Sequence, residues 1–89
     1  MAMTVVSHQV KDYDAWRRTY DEFAPVQKEG GVTAESVYQA EGDPNSVMVF
    51  HHFGTMDEAH AFFAKAELRD AMHAAGVIGM PRIEFFEDA

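Results

Sequence analysis

The chain has 89 residues, of which 47% are hydrophobic and 12% aromatic, and its 15 acidic against 7 basic residues give a formal net charge of −8. Such an acidic surface would repel a phosphate backbone, which argues against nucleic-acid binding. The apolar runs are only a few residues long, far too short to cross a membrane, so we expect neither a nucleic-acid nor a membrane partner.

The chain contains no cysteine, which narrows its chemistry further. A disulfide framework, a thiolate nucleophile and a thiolate metal site are all excluded. The first residues lack the basic and apolar stretches of a secretory signal, so we expect a cytoplasmic protein. At this length we expect one domain covering residues 1–89, whose small core cannot absorb all the apolar side chains. The composition therefore predicts an oligomer interface.

The first third of the chain predicts a strand followed by an aromatic helix. Residues Met3–Val10 (MTVVSHQV) alternate and are β-branched at their centre, as in a strand. Asp12 is placed to cap the helix that follows. Spacings of three and four residues place one aromatic stripe on this helix: Tyr13, Trp16, Tyr20 and Phe23. Pro25 predicts a kink or restart, and Gly30–Gly31 predicts the end of the helical segment.

The middle of the chain predicts a hairpin and a second helix start. Val32–Ala40 and Val47–Phe53 are expected to be strands, because residues 41–46 (EGDPNS) between them have the chemistry of a turn. Thr55 and Glu58 match a capping box at the start of a helix.

The last third completes the order of elements. The apolar spacing of the second helix suggests a break near Lys65–Ala66, and Gly76 closes the helix. Arg82–Glu87 is the last predicted strand, after a bend at Gly79–Pro81. The order matches the ferredoxin-like β-α-β-β-α-β arrangement of the α+β class, a four-stranded antiparallel sheet in which strand 1 lies between strands 3 and 4.

Both helices would cover one face of this sheet and leave the other face bare. In the third strand Val47 and Val49 point to one face while Met48 and Phe50 point to the other, so both faces are apolar. A second sheet packed on the bare face is the simplest solution. The sequence therefore predicts a two-fold homodimer that forms a dimeric α/β barrel.

Several segments resemble the small dimeric α/β-barrel proteins of the antibiotic-biosynthesis-monooxygenase superfamily. The resemblance is carried by KDYDAW from Lys11, DPN from Asp43, DEAHAFF from Asp57, ELRDAM from Glu67 and AGV from Ala75. It covers nearly the whole chain and implies the dimeric fold. Activities found in the superfamily include cofactor-free oxygenation of polyketide quinols, haem degradation and cyclase-like chemistry. The asparagine, tryptophan and histidine set of the haem-degrading members cannot be placed here, and we expect no cofactor.

The adjacent His51 and His52 are the most conspicuous candidate site residues. Neighbouring strand residues point to opposite faces, so the two cannot share one pocket or one ion unless the strand bulges. Which of them faces the helices stays open, because the strand carries apolar side chains on both of its faces. Antiparallel pairing of strands 1 and 3 is expected to place His8 near Met48 and His52 near Thr4. The two imidazoles would then lie on the order of 13 Å apart, too far for a shared metal ion, and we expect no metal site.

We predict catalytic roles for His8 and His52, because an imidazole titrates near neutral pH and suits proton transfer. Trp16, Tyr38 and His51 are predicted to bind the substrate. Each residue also has a purely structural interpretation. A histidine at a strand end can be a hydrogen-bonded spacer, and the aromatic side chains can simply fill the core.

No nucleophile elbow, phosphate-binding loop or dinucleotide fingerprint is present. The chemistry that remains is proton transfer or cyclisation in a small apolar pocket. We therefore expect a homodimeric, enzyme-like protein that binds a small aromatic or polyketide-like molecule between sheet and helices, as a cofactor-free monooxygenase or a cyclase. The alternative is a non-enzymatic dimer, either a small-ligand binder or a stress-related protein.

Overall fold

The computed structural model describes all 89 residues and contains four strands and four helices. In chain order these are β1 (Ala2–Val10), α1 (Tyr13–Glu22), α2 (Ala24–Glu29), β2 (Val32–Ala40), β3 (Asp43–Phe53), α3 (Met56–Phe63), α4 (Ala66–Ala74) and β4 (Val77–Glu87). The order confirms the predicted ferredoxin-like α+β fold, with each predicted helix divided into two. No helix combines the length and the apolar character needed to cross a membrane.

Local sequence explains both divisions. Pro25 lies in the first turn of α2, where its missing N–H costs no hydrogen bond, so the predicted restart is confirmed. The second division falls at Ala64 and Lys65, where the predicted break is also confirmed. Each long helical segment therefore bends around the sheet as two short helices.

Side-chain caps fix two of the helix starts. The Asp12 carboxylate accepts a hydrogen bond from the Ala15 N–H at 3.1 Å. The Thr55 hydroxyl accepts from the Glu58 N–H at 3.1 Å and donates to the Glu58 carboxylate at 3.1 Å. Caps of this kind typically contribute about 1 kcal/mol each, and both were predicted from the sequence.

The strands form one antiparallel sheet in the order β2-β3-β1-β4, which confirms the central position of β1. The predicted register between β1 and β3 is wrong by one residue: Thr4 pairs with His51 rather than His52, and His8 pairs with Val47. The observed register puts the buried side chains of both strands on the helix-covered face. A slip by one residue would turn all of those on the slipped strand to the other face.

Two strands begin earlier than predicted. β3 starts at Asp43 and β4 at Val77, because the supposed turn and bend segments are themselves paired with neighbouring strands. The hairpin turn narrows to Glu41–Gly42, where Gly42 has a φ of +83° that favours glycine. The predicted bend at Gly79–Pro81 is instead an irregularity within β4.

The buried side chains between sheet and helices form two clusters. One contains Val6, Val10, Trp16, Val47, Val49 and Ala75, and the other contains Ala2, Phe53, Ala59, Phe62 and Leu68. The partly buried Phe63 and Met72 pack against both clusters. The core is therefore divided, and the division leaves space between its two parts.

The other face of the sheet is not covered by any helix. Tyr38, Met48 and Phe86 on this face are 54%, 41% and 44% exposed. Met48 pairs with Ser7 of β1 and with Tyr38 of β2, so these side chains lie side by side on one surface. The single chain thus leaves an apolar sheet face in contact with water.

Candidate functional site

A cavity lies between the two core clusters, with β1 and β3 below it and all four helices around it. Its empty space is about 480 Å³ including the open mouth, and the centre of a water molecule can reach about 50 Å³ of it. Eleven of its 15 lining residues are hydrophobic. The lining residues with hydrogen-bonding side chains are His8, Trp16, Thr19, Tyr20, Gln27 and His51. A mostly apolar lining with a few polar groups is typical of small-molecule sites.

His51 faces this cavity and is only 5% exposed. Burial lowers the pKa of His51 to about 4. The nearby Glu35 carboxylate partly opposes this shift, while the adjacent His52 adds to it. The imidazole is therefore neutral near pH 7. His51 pairs with Thr4 of β1 on one side and with Glu35 of β2 on the other, so these three residues lie in one row across the sheet.

Tyr20 links His51 to Glu35. The Tyr20 hydroxyl donates a short hydrogen bond to the Glu35 carboxylate, and its oxygen lies 2.8 Å from His51 Nε2. A phenol has one proton and a carboxylate only accepts, so the Tyr20 oxygen accepts a hydrogen bond from His51 Nε2–H. This assigns the proton of the neutral imidazole to Nε2 and leaves a free lone pair on Nδ1. Burial raises the pKa of Tyr20 far above its ordinary value, and the hydrogen bond to Glu35 raises it further.

Two buried polar atoms next to this hydrogen-bonded series of Glu35, Tyr20 and His51 have no partner in the protein. His51 Nδ1 and Thr4 Oγ1 are both buried, and neither makes a hydrogen bond within the protein. Buried polar atoms are almost always hydrogen-bonded, because leaving one unpaired costs on the order of 1–3 kcal/mol. The two residues are paired directly across β1 and β3, and of the two only His51 lines the cavity.

His8 lines the same cavity with the opposite tautomer. Its Nδ1 lies 3.3 Å from the carbonyl oxygen of Val47, which can only accept, so Nδ1 carries the proton and Nε2 is an acceptor. Burial lowers the pKa of His8, and this imidazole is also neutral near pH 7. Its ring lies nearly perpendicular to that of Trp16, with 5.5 Å between the ring centroids and 86° between the ring planes.

Trp16 forms part of the cavity wall and is 3% exposed. It stacks on Tyr20 with 4.9 Å between ring centroids and 22° between ring planes. The stack holds the Tyr20 ring against the sheet, which places its hydroxyl beside His51. Trp16 thus both fills the core and shapes the cavity.

The five predicted site residues are divided between the two faces of the sheet. His8, Trp16 and His51 come together at the cavity. His52 and Tyr38 lie on the face that no helix covers, where Tyr38 packs on Phe50 with 5.5 Å between ring centroids. The structure thus answers the open question of the histidine pair, since His51 faces the cavity. The roles of His52 and Tyr38 stay predictions that concern the other face.

Sequence reasoning missed Tyr20 and Glu35 as site residues. Tyr20 was assigned to the aromatic core stripe, although its polar hydroxyl is a reason to expect a partner. Glu35 is a charged residue on the helix-facing side of β2, next to Val37 in alternation, and this pattern was the available signal. Among the side chains, no group of three or more potential ligands is arranged to bind a metal ion.

A second hollow adjoins the cavity beside α4 and β4. Phe63, Leu68 and Met72 line both spaces, so these three side chains form the wall between them. The second hollow is the larger one, with about 820 Å³ of empty space, and its lining includes Arg69 and His73.

Comparisons with known proteins find similar folds among solved structures but no match by sequence. No protein-family model matches the chain, and no curated protein matches it significantly. Among solved structures, SnoaB, a cofactor-independent oxygenase from Streptomyces nogalater, is 12% identical with a TM-score of 0.81, covering 99% of this chain and 92% of that one. A protein from Bordetella bronchiseptica, provisionally assigned as an antibiotic biosynthesis monooxygenase, is 11% identical with a TM-score of 0.82, covering 99% and 96%.

A protein from Nitrosomonas europaea with the same provisional assignment is 16% identical with a TM-score of 0.76, covering 99% of this chain and 98% of that one. At such low identity the likeness concerns the fold. It confirms, at that level, the resemblance to antibiotic-biosynthesis-monooxygenase-like proteins that the sequence segments indicated.

Proposed function

We propose that the protein binds a small aromatic or polyketide-like molecule in the cavity and oxygenates it without a cofactor. One observation carries this proposal: an apolar cavity that contains a neutral, buried imidazole whose Nδ1 has no partner in the protein. A fold like that of SnoaB, a cofactor-independent oxygenase, supports the same function.

The polar groups of the cavity favour a ligand with hydroxyl groups. His51 Nδ1 and His8 Nε2 are both hydrogen-bond acceptors on neutral rings, by the tautomers that their partners impose. The only formal charge hydrogen-bonded into this network is the Glu35 carboxylate, while the Arg17 guanidinium lies 5.3 Å from the centre of the Tyr20 ring. A phenol or enol donates hydrogen bonds to such acceptors, whereas a carboxylate ligand would meet lone pairs and a like charge. The proposed ligand is therefore a neutral phenol or enol.

Removing a proton from such a ligand prepares it for reaction with oxygen. An enolised anthrone that loses its hydroxyl proton becomes an electron-rich anion, which can transfer electrons to O₂. In the complete reaction the CH₂ group and O₂ give a carbonyl group and water, so the substrate supplies all the electrons. The proposed role of the protein is to accept the proton and exclude bulk water, and general base catalysis of this kind contributes roughly 10²–10⁴-fold.

Oxygen consumption with 1,8-dihydroxy-9-anthrone tests the proposal. We expect His51→Ala to lower the catalysed rate at least about ten-fold, and His8→Ala to weaken the binding of substrate. His60→Ala is the matched control, because His60 stacks on Phe85 and does not line the cavity. A wild-type rate equal to the uncatalysed rate, across a panel of hydroxyanthrones and naphthols, would refute the oxygenase proposal.

A second candidate function is ligand binding without catalysis. The observation in its favour is the mostly hydrophobic lining, 11 of 15 residues, which suits the binding of an apolar molecule without any catalytic group. A thermal-shift titration with the corresponding anthraquinone separates the two candidates. Binding saturated at about 100 times the dissociation constant stabilises the protein by about 2.7 kcal/mol, and such a shift without turnover would favour a binding protein.

We also propose that two copies pack their uncovered sheet faces together, as in a dimeric α/β barrel. The support is the row of exposed apolar side chains around Met48. We expect Met48→Glu to convert the dimer to a monomer in sedimentation velocity at micromolar concentration, because the new charge would be buried in the interface. Ala61→Glu, on the exposed side of α3, adds the same charge away from that face and should leave the dimer intact. A monomeric wild type would refute the dimer.

A further inference from the structure

Three hydrogen-bonding side chains run in sequence from the interior of the protein to its surface. His51 is buried at the cavity, Tyr20 is half-buried, and Glu35 is exposed. Each touches the next through a direct hydrogen bond, from Nε2–H to the phenol oxygen and from the phenol O–H to the carboxylate. Every donor in this series points toward solvent, and the free lone pair on Nδ1 stands at the inner end.

We propose that His51, Tyr20 and Glu35 form a proton relay that carries a proton from a hydroxyl group of the bound ligand to solvent. The inference rests on the proposed function, since a ligand must donate its proton in the cavity. Within that function it assigns roles to two residues that a simple general-base mechanism does not require.

The proton transfers balance along the series. The ligand O–H bond breaks as an Nδ1–H bond forms on His51, and the Nε2–H bond breaks as a new O–H bond forms on Tyr20. The original O–H proton of Tyr20 moves to the Glu35 carboxylate, which then releases it to water. The net result is a ligand anion in the cavity, a neutral imidazole in its other tautomer and a proton in solvent. As the oxygenated intermediate breaks down to the carbonyl product, Nδ1–H gives its proton to the oxygen that leaves as water, and the reverse shifts along the series restore the starting state.

The surroundings of His51 explain why a relay is needed. A positive imidazolium is unfavourable in this apolar site, and burial accordingly lowers the pKa of His51. The relay avoids this ion, because the proton gained at one ring nitrogen leaves from the other. Other charged or titratable groups near the series are Arg17, whose guanidinium lies 5.3 Å from the centre of the Tyr20 ring and interacts with Asp21 and Tyr13, and His52 beside His51.

The imidazole tautomer in the free protein is the first test, because it needs no ligand. Long-range proton–nitrogen correlation spectra distinguish a protonated ring nitrogen from an unprotonated one. We expect the Nε2–H tautomer of His51 in the wild type and a mixture of tautomers in Tyr20→Phe, which removes the acceptor for Nε2–H. Tyr13→Phe removes a hydroxyl from the same helix without touching the series and should leave the His51 signals unchanged. A wild-type His51 protonated on Nδ1 would overturn the relay.

Glu35→Gln separates a relay from a purely positioning role. The glutamine carbonyl oxygen can still accept the Tyr20 hydrogen bond, so the His51 tautomer should remain as in the wild type, but an amide cannot take up the proton. We expect kcat for the anthrone to fall at least about ten-fold in both Glu35→Gln and Tyr20→Phe, with KM within about two-fold of the wild-type value.

The outcomes separate failure of the relay from failure of the proposed function. Full turnover in Glu35→Gln, with a normal tautomer, would overturn the relay while leaving the oxygenase in place. A fall in activity that appears only in KM would assign these residues to binding and would equally overturn it. If the wild type neither binds nor oxidises any hydroxyanthrone, the proposed function fails. The relay fails with it, because no ligand hydroxyl group is then present to donate a proton.

Discussion

Acidification should destabilise the protein in a way that can be traced to His51. The pKa of this imidazole falls from an ordinary value of 6.5 to about 4 in the folded protein, chiefly because the ring is buried. In the unfolded chain the ring takes up a proton below about pH 6.5, whereas in the folded protein it does so only near pH 4. Between these values the unfolded state binds more protons, so the free energy of unfolding decreases as the pH falls.

The size of the effect follows from the shift in pKa. One pKa unit corresponds to 1.36 kcal/mol, so the contribution of His51 is about 3 kcal/mol between pH 6.5 and pH 4. Well above pH 6.5 the ring is neutral in both states, and its contribution is constant. The pKa of His8 is lowered in the same direction, again by burial, and adds to the loss of stability. The contribution of about 3 kcal/mol from His51 alone is a large part of the free energy of unfolding of so small a domain.

Urea unfolding between about pH 7.5 and 4.5 measures this dependence, with the fluorescence of Trp16, the only tryptophan, as the signal. His51→Gln removes the titrating group, so its stability should decline more gently with acid than that of the wild type. His52→Gln is the matched neighbour on the opposite face; it removes only the smallest cause of the His51 shift and should keep most of the wild-type slope. Protein concentration is held constant, because a dimer would make stability depend on it. Parallel curves for the wild type and His51→Gln would refute the reasoning.

Three further predictions concern the fold and can be checked by the same urea unfolding at neutral pH. Phe53→Ala should cost about 3–5 kcal/mol, because Phe53 is completely buried in one of the two core clusters; a loss below about 1 kcal/mol would contradict this packing. Thr55→Ala should cost about 1 kcal/mol by removing the cap of α3, and an unchanged midpoint would mean that the cap contributes nothing. Gly31→Ala should be more destabilising than Gly42→Ala: both have positive φ, but only a Cβ at position 31 collides with the Glu58 side chain, and equal losses would rule out the collision.

Local sequence signals account for most of the element boundaries. The restart at Pro25, the cap at Asp12 and the capping box at Thr55 follow from chemistry within a few residues, and the structure contains all three. The longer β3 and β4 were not predicted, because their outer residues read as turn formers and are kept extended by pairing with β1 and β2. At these positions the hydrogen bonds between paired strands outweigh the turn propensity of the residues.

The candidate site was predictable only in part, for a related reason. Alternation along β3 separates His51 from His52 but cannot say which one is inside, since both faces of the strand are apolar. That answer depends on which residue of β1 pairs with each histidine, and the predicted register was wrong by one residue. Tyr20 and Glu35 meet His51 only because β2 pairs with β3 in one particular alignment. Contacts of this kind are set by the tertiary structure and leave little trace in spacing along the chain.

The adjacent histidines of β3, His51 and His52, have a consequence for the register of this strand. If β3 slid by one residue along its neighbours, an imidazole would still reach the cavity, supplied by position 52 instead of 51. Val49 and Phe53 would then be turned out toward water, at a cost far larger than any loss at the histidine. The apolar side chains therefore enforce the alignment, and a variant weakened at Phe53 could present a histidine to the cavity from a misaligned sheet.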